Sequence, residues 1–147
     1  MRGRRLAFDY GDARIGVAVC DPDAILATPL PYLENRLHSL SSMLADLFAE
    51  YDPIHIFLGL PVNMSGSSGE AVEKVDKFAK KIIEEFALQV VFVDERLSTV
   101  LAQKKLKEAG ISSKESKHLI DSMSAVAILE QGLIQELSMN LDNEDTK

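Results

Sequence analysis

Five short apolar segments, followed or separated by amphipathic helical patterns, limit what this chain can fold into. The segments predicted to be β-strands are residues 6–8, 14–20, 27–33, 54–60 and 90–93. The patterns predicted to be helices are residues 35–51, 71–86, about 99–109 and about 113–137. Strands joined by a tight turn pair antiparallel, whereas strands joined through a helix pair parallel. The order βββ-α-β-α-β-α-α therefore predicts an α/β fold with a five-stranded mixed sheet flanked by helices.

Individual residues refine this prediction. The apolar run Leu6–Phe8 leads into a turn at Asp9–Asp12, and residues 14–20 return from it as the second strand of a hairpin. Pro29 and Pro31 restrict the third strand to a sheet edge, because proline cannot donate to the ladder. The fourth strand is apolar enough to be buried on both faces. The first helix is expected to bury a face made of residues at helical spacing, Leu37, Leu40, Leu44, Leu47 and Phe48.

Composition places the chain among globular proteins. It has 147 residues, of which 46% are hydrophobic, and we expect one domain over residues 1–137 with an acidic, disordered tail over residues 138–147. The single cysteine, Cys20, excludes an intramolecular disulfide and a cysteine-cluster zinc site. No run of about 18 apolar residues predicts a membrane span. The N-terminal segment lacks the pattern of a signal peptide, so a cytoplasmic location is expected.

The formal net charge of −7 argues against binding nucleic acid through bulk charge. It does not exclude a nuclease, whose metal site needs carboxylates. Three acidic positions lie where apolar segments end or where a helix face is partly apolar. Asp9 follows the first strand, Asp94 and Glu95 follow the fifth, and Asp121 precedes Ala125 by one helical turn.

Ligands collect beyond the strand ends of an α/β sheet, so these carboxylates would share a site if the first and fifth strands lie near each other. Crowded carboxylates repel, and a divalent cation relieves that repulsion. Oxygen ligands without cysteine or a histidine pair favour Mg²⁺ or Mn²⁺ over zinc. The alternative interpretation is that these are ordinary solvated acids at strand ends.

Four blocks of sequence resemble the YqgF family of RuvX-like Holliday junction resolvases. They are Asp9-Tyr10-Gly11-x-x-Arg14-Ile15-Gly16-Val17-Ala18, the segment Gly59 to Ser67, Asp94-Glu95-Arg96-Leu97-Ser98-Thr99, and the segment Asp121 to Leu129. The blocks occur in the family's order and span about residues 5 to 135. The chain departs from the family pattern at Asp12-Ala13, where a lysine usually precedes the arginine, at Ser124, and at Ser65, where an acid is common.

The resemblance implies an RNase H-like fold and a metal-dependent nuclease. The family is described as resolving four-way DNA junctions or as trimming the 5′ end of the small-subunit ribosomal RNA precursor, and of these the precursor activity is the one we expect. By the family's motifs, Asp9, Glu95 and Asp121 would be the catalytic, metal-binding carboxylates. Asp94 competes for the strand-five position, because side chains alternate across a strand and only one of the two neighbours should face the site.

Six polar residues are candidates for contacts with the nucleic acid. They are Arg14, Asn63, Ser67, Arg96, Lys114 and Lys117. Arg14 offers a bidentate fork to a phosphate, or it pairs with Asp12 or Asp23 instead. Asn63 and Ser67 belong to a Gly/Ser-rich loop before a helix, where free backbone N–H groups attract phosphate, although a plain connection is an equal alternative. The three remaining residues lie in a locally basic stretch that either tracks a phosphate backbone or is a solvated helix face.

The expected partners are precursor rRNA or branched DNA, together with the small ribosomal subunit. Junction resolution would need a homodimer, because two sites must act on opposing strands. One rival is a binding module with the same fold and little catalysis. A second rival is an ATPase or sugar-kinase-like domain, which would need two such domains to close over a nucleotide.

Overall fold

The computed structural model describes residues 3–61, 69–94 and 122–137. Its strands are β1 (Arg5–Tyr10), β2 (Arg14–Cys20), β3 (Ala27–Glu34), β4 (His55–Leu60) and β5 (Val90–Asp94). Its helices are α1 (Leu40–Tyr51), α2 (Glu70–Phe86) and α3 (residues 122–137). The predicted helix over 99–109 and the predicted tail over 138–147 lie outside the described residues.

The strands form one mixed sheet in the order β3-β2-β1-β4-β5. The first three strands pair antiparallel, whereas β1 with β4 and β4 with β5 pair parallel. This confirms the predicted α/β class and the five-stranded mixed sheet. Proline-bearing β3 lies at an edge, as predicted. The first and fifth strands are not adjacent, because β4 lies between them.

The sheet separates two apolar clusters. One face is covered by α1 and α2, which pack on alternate residues of the central strands such as Leu6, Phe8 and Leu58. The opposite face is covered by α3, which packs on the intervening residues such as Ala7, Ala18 and Phe57. Because β4 contributes to both clusters, the prediction that this strand is buried on both faces is confirmed.

Helix α1 begins five residues later than the sequence pattern predicts. Asn35 is held by the turn between β1 and β2, since its backbone N–H donates to the Ala13 carbonyl at 3.0 Å and its side-chain amide donates to the Gly11 carbonyl at 2.8 Å. The helix therefore begins at Leu40. Leu37 is 83% exposed, so its expected place on the buried face was wrong.

Helix α3 approaches the sheet closely. Ala125 is fully buried and packs in the same cluster as Ala7 and Ala18. Farther along the helix, Gly132 lies against β4, and a Cβ placed there would be 2.6 Å from ring carbons of Phe57.

The end of α3 is joined to the start of β1 by a buried ion pair. The guanidinium of Arg5, whose side chain is 4% exposed, contacts both carboxylate oxygens of Glu136 at 2.7 and 3.2 Å. His55 lies 3.5 Å from the same carboxylate. Within the described part of the chain, no helix is long and apolar enough to cross a membrane.

Candidate functional site

Asp9 lies at the carboxyl end of β1. The strand continues through Asp9 to Tyr10, so the backbone of Asp9 is part of the sheet. The sequence pattern had placed this residue in a turn. Asp9 follows Ala7 by two residues and therefore lies on the face of the sheet that α3 covers. Its side chain is half-buried. The fold thus places one carboxylate near the carboxyl end of the central strand, on the face of the sheet that α3 covers.

Glycines flank Asp9 on both neighbouring strands. On β2, Gly16 is its direct partner in the register. On β4, Leu58 pairs with Phe8, so Gly59 is the next residue and stands beside Asp9. Because neither residue has a side chain, no neighbouring strand crowds the carboxylate on this face. A carboxylate oxygen flanked by two glycines near the end of a strand is a suitable ligand for a divalent cation.

The last residue of β5 faces away from Asp9. Val93 is fully buried in the cluster beneath α3, and Val91 packs against the same cluster. Side chains alternate along a strand, so Asp94 lies on the opposite face, where it is exposed. Asp94 was the competing candidate for the strand-five ligand. It lies on the face of the sheet opposite to Asp9. The preferred candidate, Glu95, lies outside the described residues.

Ser122, in α3, contacts β3 one row before the row of the sheet that contains Asp9. The hydroxyl of Ser122, which is fully buried, donates to the backbone carbonyl of Leu30 in β3. Leu30 pairs with Val17, and Val17 pairs with Phe8, the residue before Asp9. The contact is therefore two strands from β1, about 10 Å at the usual spacing. Asp121, which precedes Ser122 in sequence, lies outside the described residues.

Arg14, the one described candidate for a substrate contact, lies on the same face of the sheet. It is exposed and, by the alternation of β2, shares a face with Gly16 and Ala18. Its guanidinium carbon is 5.0 Å from the centroid of the Tyr32 ring, a cation–π distance. Asp12, proposed as an alternative partner, pairs instead with Lys74 at 2.9 Å. Arg14 is thus oriented by an aromatic ring and presented to solvent.

Lys74 is held near the β1–β2 turn by an ion pair with Asp12 and was not among the predicted site residues. Its hydrogen bond with Asp12, reinforced by the charge of that carboxylate, raises the pKa of the Lys74 ammonium. The pair borders a cavity of about 350 Å³ on the α2 side of the sheet, lined by Tyr10, Gly11, Asp12, Pro61, Glu70, Ala71, Lys74 and Val75. Lys74 follows the Gly/Ser-rich loop by only one helical turn. This spacing is the sequence feature that could have identified Lys74 as a candidate.

The other predicted site residues lie outside the described residues: Asn63, Ser67, Glu95, Arg96, Lys114, Lys117 and Asp121. Within residues 3–61, 69–94 and 122–137, no group of three His, Cys, Asp or Glu side chains could hold a metal ion. That result follows from the candidates' positions, since only Asp9 of the three proposed ligands falls in these ranges.

Comparison with known protein families settles the relationship suggested by the four sequence blocks. The family model described as "RuvX: Holliday junction resolvase" matches residues 3–135. The chain belongs to the RuvX family. The match covers the whole described sheet and most of α3, and it confirms the resemblance inferred from the motifs.

Curated relatives of this RuvX chain match over nearly its whole length. A protein of Streptomyces coelicolor named "Putative pre-16S rRNA nuclease" is 46% identical over 137 residues, which cover 92% of this chain and 82% of the relative. A protein of Ruminiclostridium cellulolyticum with the same name is 37% identical over 139 residues, covering 93% of this chain and 97% of the relative.

Among solved structures, Thermus thermophilus RuvC in complex with a Holliday junction substrate is similar to this RuvX chain. Its TM-score is 0.56 at 13% identity, and the match covers 86% of this chain and 90% of RuvC. At that identity the likeness concerns the fold alone. It confirms the predicted RNase H-like architecture.

Proposed function

We propose that this RuvX-family protein is a nuclease that hydrolyses phosphodiester bonds during 5′-end processing of the small-subunit ribosomal RNA precursor. The observation that carries the proposal is Asp9, a half-buried carboxylate between Gly16 and Gly59 near the carboxyl end of β1, on the face of the sheet that α3 covers. The names of relatives that are up to 46% identical over 92% of the chain support RNA as the substrate.

The proposed metal ligands are Asp9, Glu95 and Asp121, with Mg²⁺ or Mn²⁺ as the ion. Asp94 is on the face opposite Asp9, and one further step of the same alternation favours Glu95 as the strand-five ligand. When bound, such an ion would supply Lewis-acid activation of water and stabilisation of the leaving oxygen. The chain's own task is to hold the carboxylates in place and to leave room for the scissile phosphate beside the two glycines.

The nucleic acid would be held by Arg14, Asn63, Ser67, Arg96, Lys114 and Lys117. Arg14 supports this role best, because its guanidinium is exposed on the face of Asp9 and stacked on Tyr32. A planar guanidinium binds phosphate through two parallel hydrogen bonds, which gives orientation as well as attraction. We further propose that the nuclease domain comprises residues 1–137, that residues 138–147 form an acidic tail, and that the protein works in the cytoplasm with the small ribosomal subunit.

A second candidate function is resolution of four-way DNA junctions. The description of the family and the fold shared with RuvC favour it. This activity would require two sites acting on opposing strands and hence a homodimer. A third candidate, a binding module in ribosome maturation without catalysis, would need no carboxylate-dependent uptake of Mg²⁺.

One experiment separates these functions. The purified protein is incubated with precursor rRNA that carries the 5′ extension and with a four-way DNA junction, each with Mg²⁺ and with EDTA, while its mass is measured by size exclusion. We expect Mg²⁺-dependent cleavage of the RNA. Junction cleavage by a dimer would replace the proposal with the second function. Binding without cleavage of either substrate would replace it with the third.

A further inference from the structure

An open groove, the α1–β3 groove, lies between helix α1 and the edge strand β3. Its volume is about 290 Å³, and it is on the face of the sheet opposite to Asp9. Its floor is formed by partly buried apolar side chains that pack on the cluster beneath α1 and α2: Leu30, Leu33, Met43, Leu47 and Tyr51. The margin of that apolar cluster is therefore accessible from solvent between two described elements.

Two carboxylates of α1 border the α1–β3 groove. Asp46 and Glu50 are exposed and lie one helical turn apart, so they share a face of the helix. Of the described residues that line the groove, none is Lys, Arg or His. Neither carboxylate forms an ion pair with a described residue, whereas on α2 Asp76 pairs with Lys80 at 3.1 Å. The groove thus combines an apolar floor with a negative rim.

The two acids are unfavourable for the helix that carries them. Like charges one helical turn apart repel each other. Glu50 also lies in the last turn of α1, where the negative end of the helix dipole disfavours a carboxylate. The sequence of α1, Leu40–Tyr51, contains no basic residue that would offset either effect. A charge pattern that opposes the local structure in this way is typical of a binding surface, whose ligand supplies the missing cations.

The edge of β3 is not suited to pairing with an added strand. Pro29 and Pro31 have no N–H to donate, and the Leu30 carbonyl between them accepts the hydroxyl of Ser122. A further strand would therefore find an interrupted row of donors and acceptors at this edge. A partner of the α1–β3 groove must be held through side chains.

We propose that the α1–β3 groove binds a basic, partly apolar segment of a partner protein. Charge complementarity selects this occupant, because Lys or Arg side chains would neutralise Asp46 and Glu50 while apolar side chains cover the floor. Four residues along a helix span about 6 Å, and two residues along an extended chain span about 6.8 Å. A segment with Lys or Arg at alternate positions therefore matches the two carboxylates. A nucleic acid does not, since its phosphates carry the charge of the rim.

The surface is independent of the proposed nuclease activity, and binding alone tests it. Fluorescence anisotropy measures the affinity of the full chain for a labelled peptide of alternating Arg and Leu, and for the same peptide with Ser in place of Leu. We expect the Arg–Leu peptide to bind about tenfold more tightly than the Arg–Ser peptide, because only its apolar side chains can cover the floor.

The variants test the rim. The double substitution Asp46→Asn with Glu50→Gln should weaken binding of the Arg–Leu peptide about fivefold, since two exposed ion pairs are lost. The matched control is Glu73→Gln with Glu84→Gln, which removes the same charge from exposed positions of α2 and should keep the wild-type affinity. Thermal unfolding should show the α1 double variant to be at least as stable as the wild type, because a repulsion is removed.

The inference is overturned if the two double variants lose affinity equally, because net charge alone would then explain binding. It is also overturned if the Arg–Ser peptide binds as tightly as the Arg–Leu peptide, or if neither binds. An α1 double variant that is less stable than the wild type would show that the acids serve the fold instead. A dimeric wild type whose α1 double variant is monomeric would assign the groove to a second copy of the chain.

Discussion

At the scale of single residues, the pleat of β5 decides on which face of the sheet Asp94 lies. Val93 is buried beneath α3, and Asp94 is consequently on the other face. The sequence identifies both Asp94 and Glu95 as candidates, and the choice between them depends on which face of the sheet α3 covers. That face is fixed by tertiary packing, which local sequence cannot specify.

His55 shows how burial at the far end of the sheet affects stability. Burial lowers the pKa of His55, and the nearby Arg5 charge lowers it further, while the Glu136 carboxylate raises it and offsets part of the effect. The imidazole is 12% exposed and contacts the Phe57 ring edge-on at 5.0 Å between centroids. The folded protein thus holds this side chain in its neutral form more readily than the unfolded chain does.

We expect His55 to make the protein less stable in mild acid. Because its folded pKa lies below the unfolded value of 6.5, the unfolded state binds more protons as the pH falls below about 7. The free energy of unfolding should decrease across that range, and His55→Gln should flatten the decrease. Urea unfolding at several pH values measures this effect.

The exposed His38 provides the control for this measurement. His38→Gln replaces an exposed imidazole by the same residue. If the free energy of unfolding of His55→Gln decreases with falling pH as steeply as that of the wild type, the acid sensitivity does not come from His55.

At the scale of elements, periodicity located the strands and the helices but not every boundary. The pattern of α2 predicts residues 71–86, and the helix spans Glu70–Phe86. For α1 the same reasoning extended the helix to Asn35, because an apolar Leu37 fits the spacing. Two hydrogen bonds from Asn35 to the β1–β2 turn prevent this. They join residues up to 24 positions apart, a distance that no local pattern reports.

Helix α3 depends on Gly132 for its close packing on β4. A Cβ at this position would meet the Phe57 ring at 2.6 Å, and Phe57 is 1% exposed. Alanine favours a helix by about 1 kcal/mol relative to glycine. Overpacking in a core costs about 1–3 kcal/mol, so we expect Gly132→Ala to lower the free energy of unfolding by about 1 kcal/mol.

Chemical denaturation measures this change, and Gln131→Ala, at the exposed neighbouring position, is the control. Gln131→Ala should change the stability by less than about 0.5 kcal/mol. A Gly132→Ala protein that is more stable than the wild type would show that α3 does not approach β4 as closely as the structure places it.

At the scale of the whole molecule, the sheet brings together residues that are distant in sequence. The hairpin, the edge position of β3 and the doubly buried β4 follow from local pattern and were predicted. The insertion of β4 between β1 and β5 did not follow, nor did the placement of Gly16 and Gly59 on either side of Asp9. Arg5 and Glu136, 131 positions apart, meet only in the folded chain.

The net charge of −7 does not describe how the charges are distributed around Asp9 in the folded chain. Asp9 is an acid that the proposed metal would offset, whereas Asp94 is exposed on the other face. Arg14 is presented to solvent on the face of Asp9. An overall acidic protein can therefore bind nucleic acid locally, through a metal site and a few basic side chains.

The most direct test of the central claim is the cleavage rate of Asp9→Asn beside that of Asp94→Asn. Both changes remove one carboxylate charge near the carboxyl end of a strand, Asp9 in β1 and Asp94 in β5, but the two side chains lie on opposite faces of the sheet. We expect Asp9→Asn to fold normally and to lose at least about 100-fold in Mg²⁺-dependent cleavage of precursor rRNA. Asp94→Asn should remain within a few-fold of the wild type. Full activity of a purified, folded Asp9→Asn protein would contradict the account.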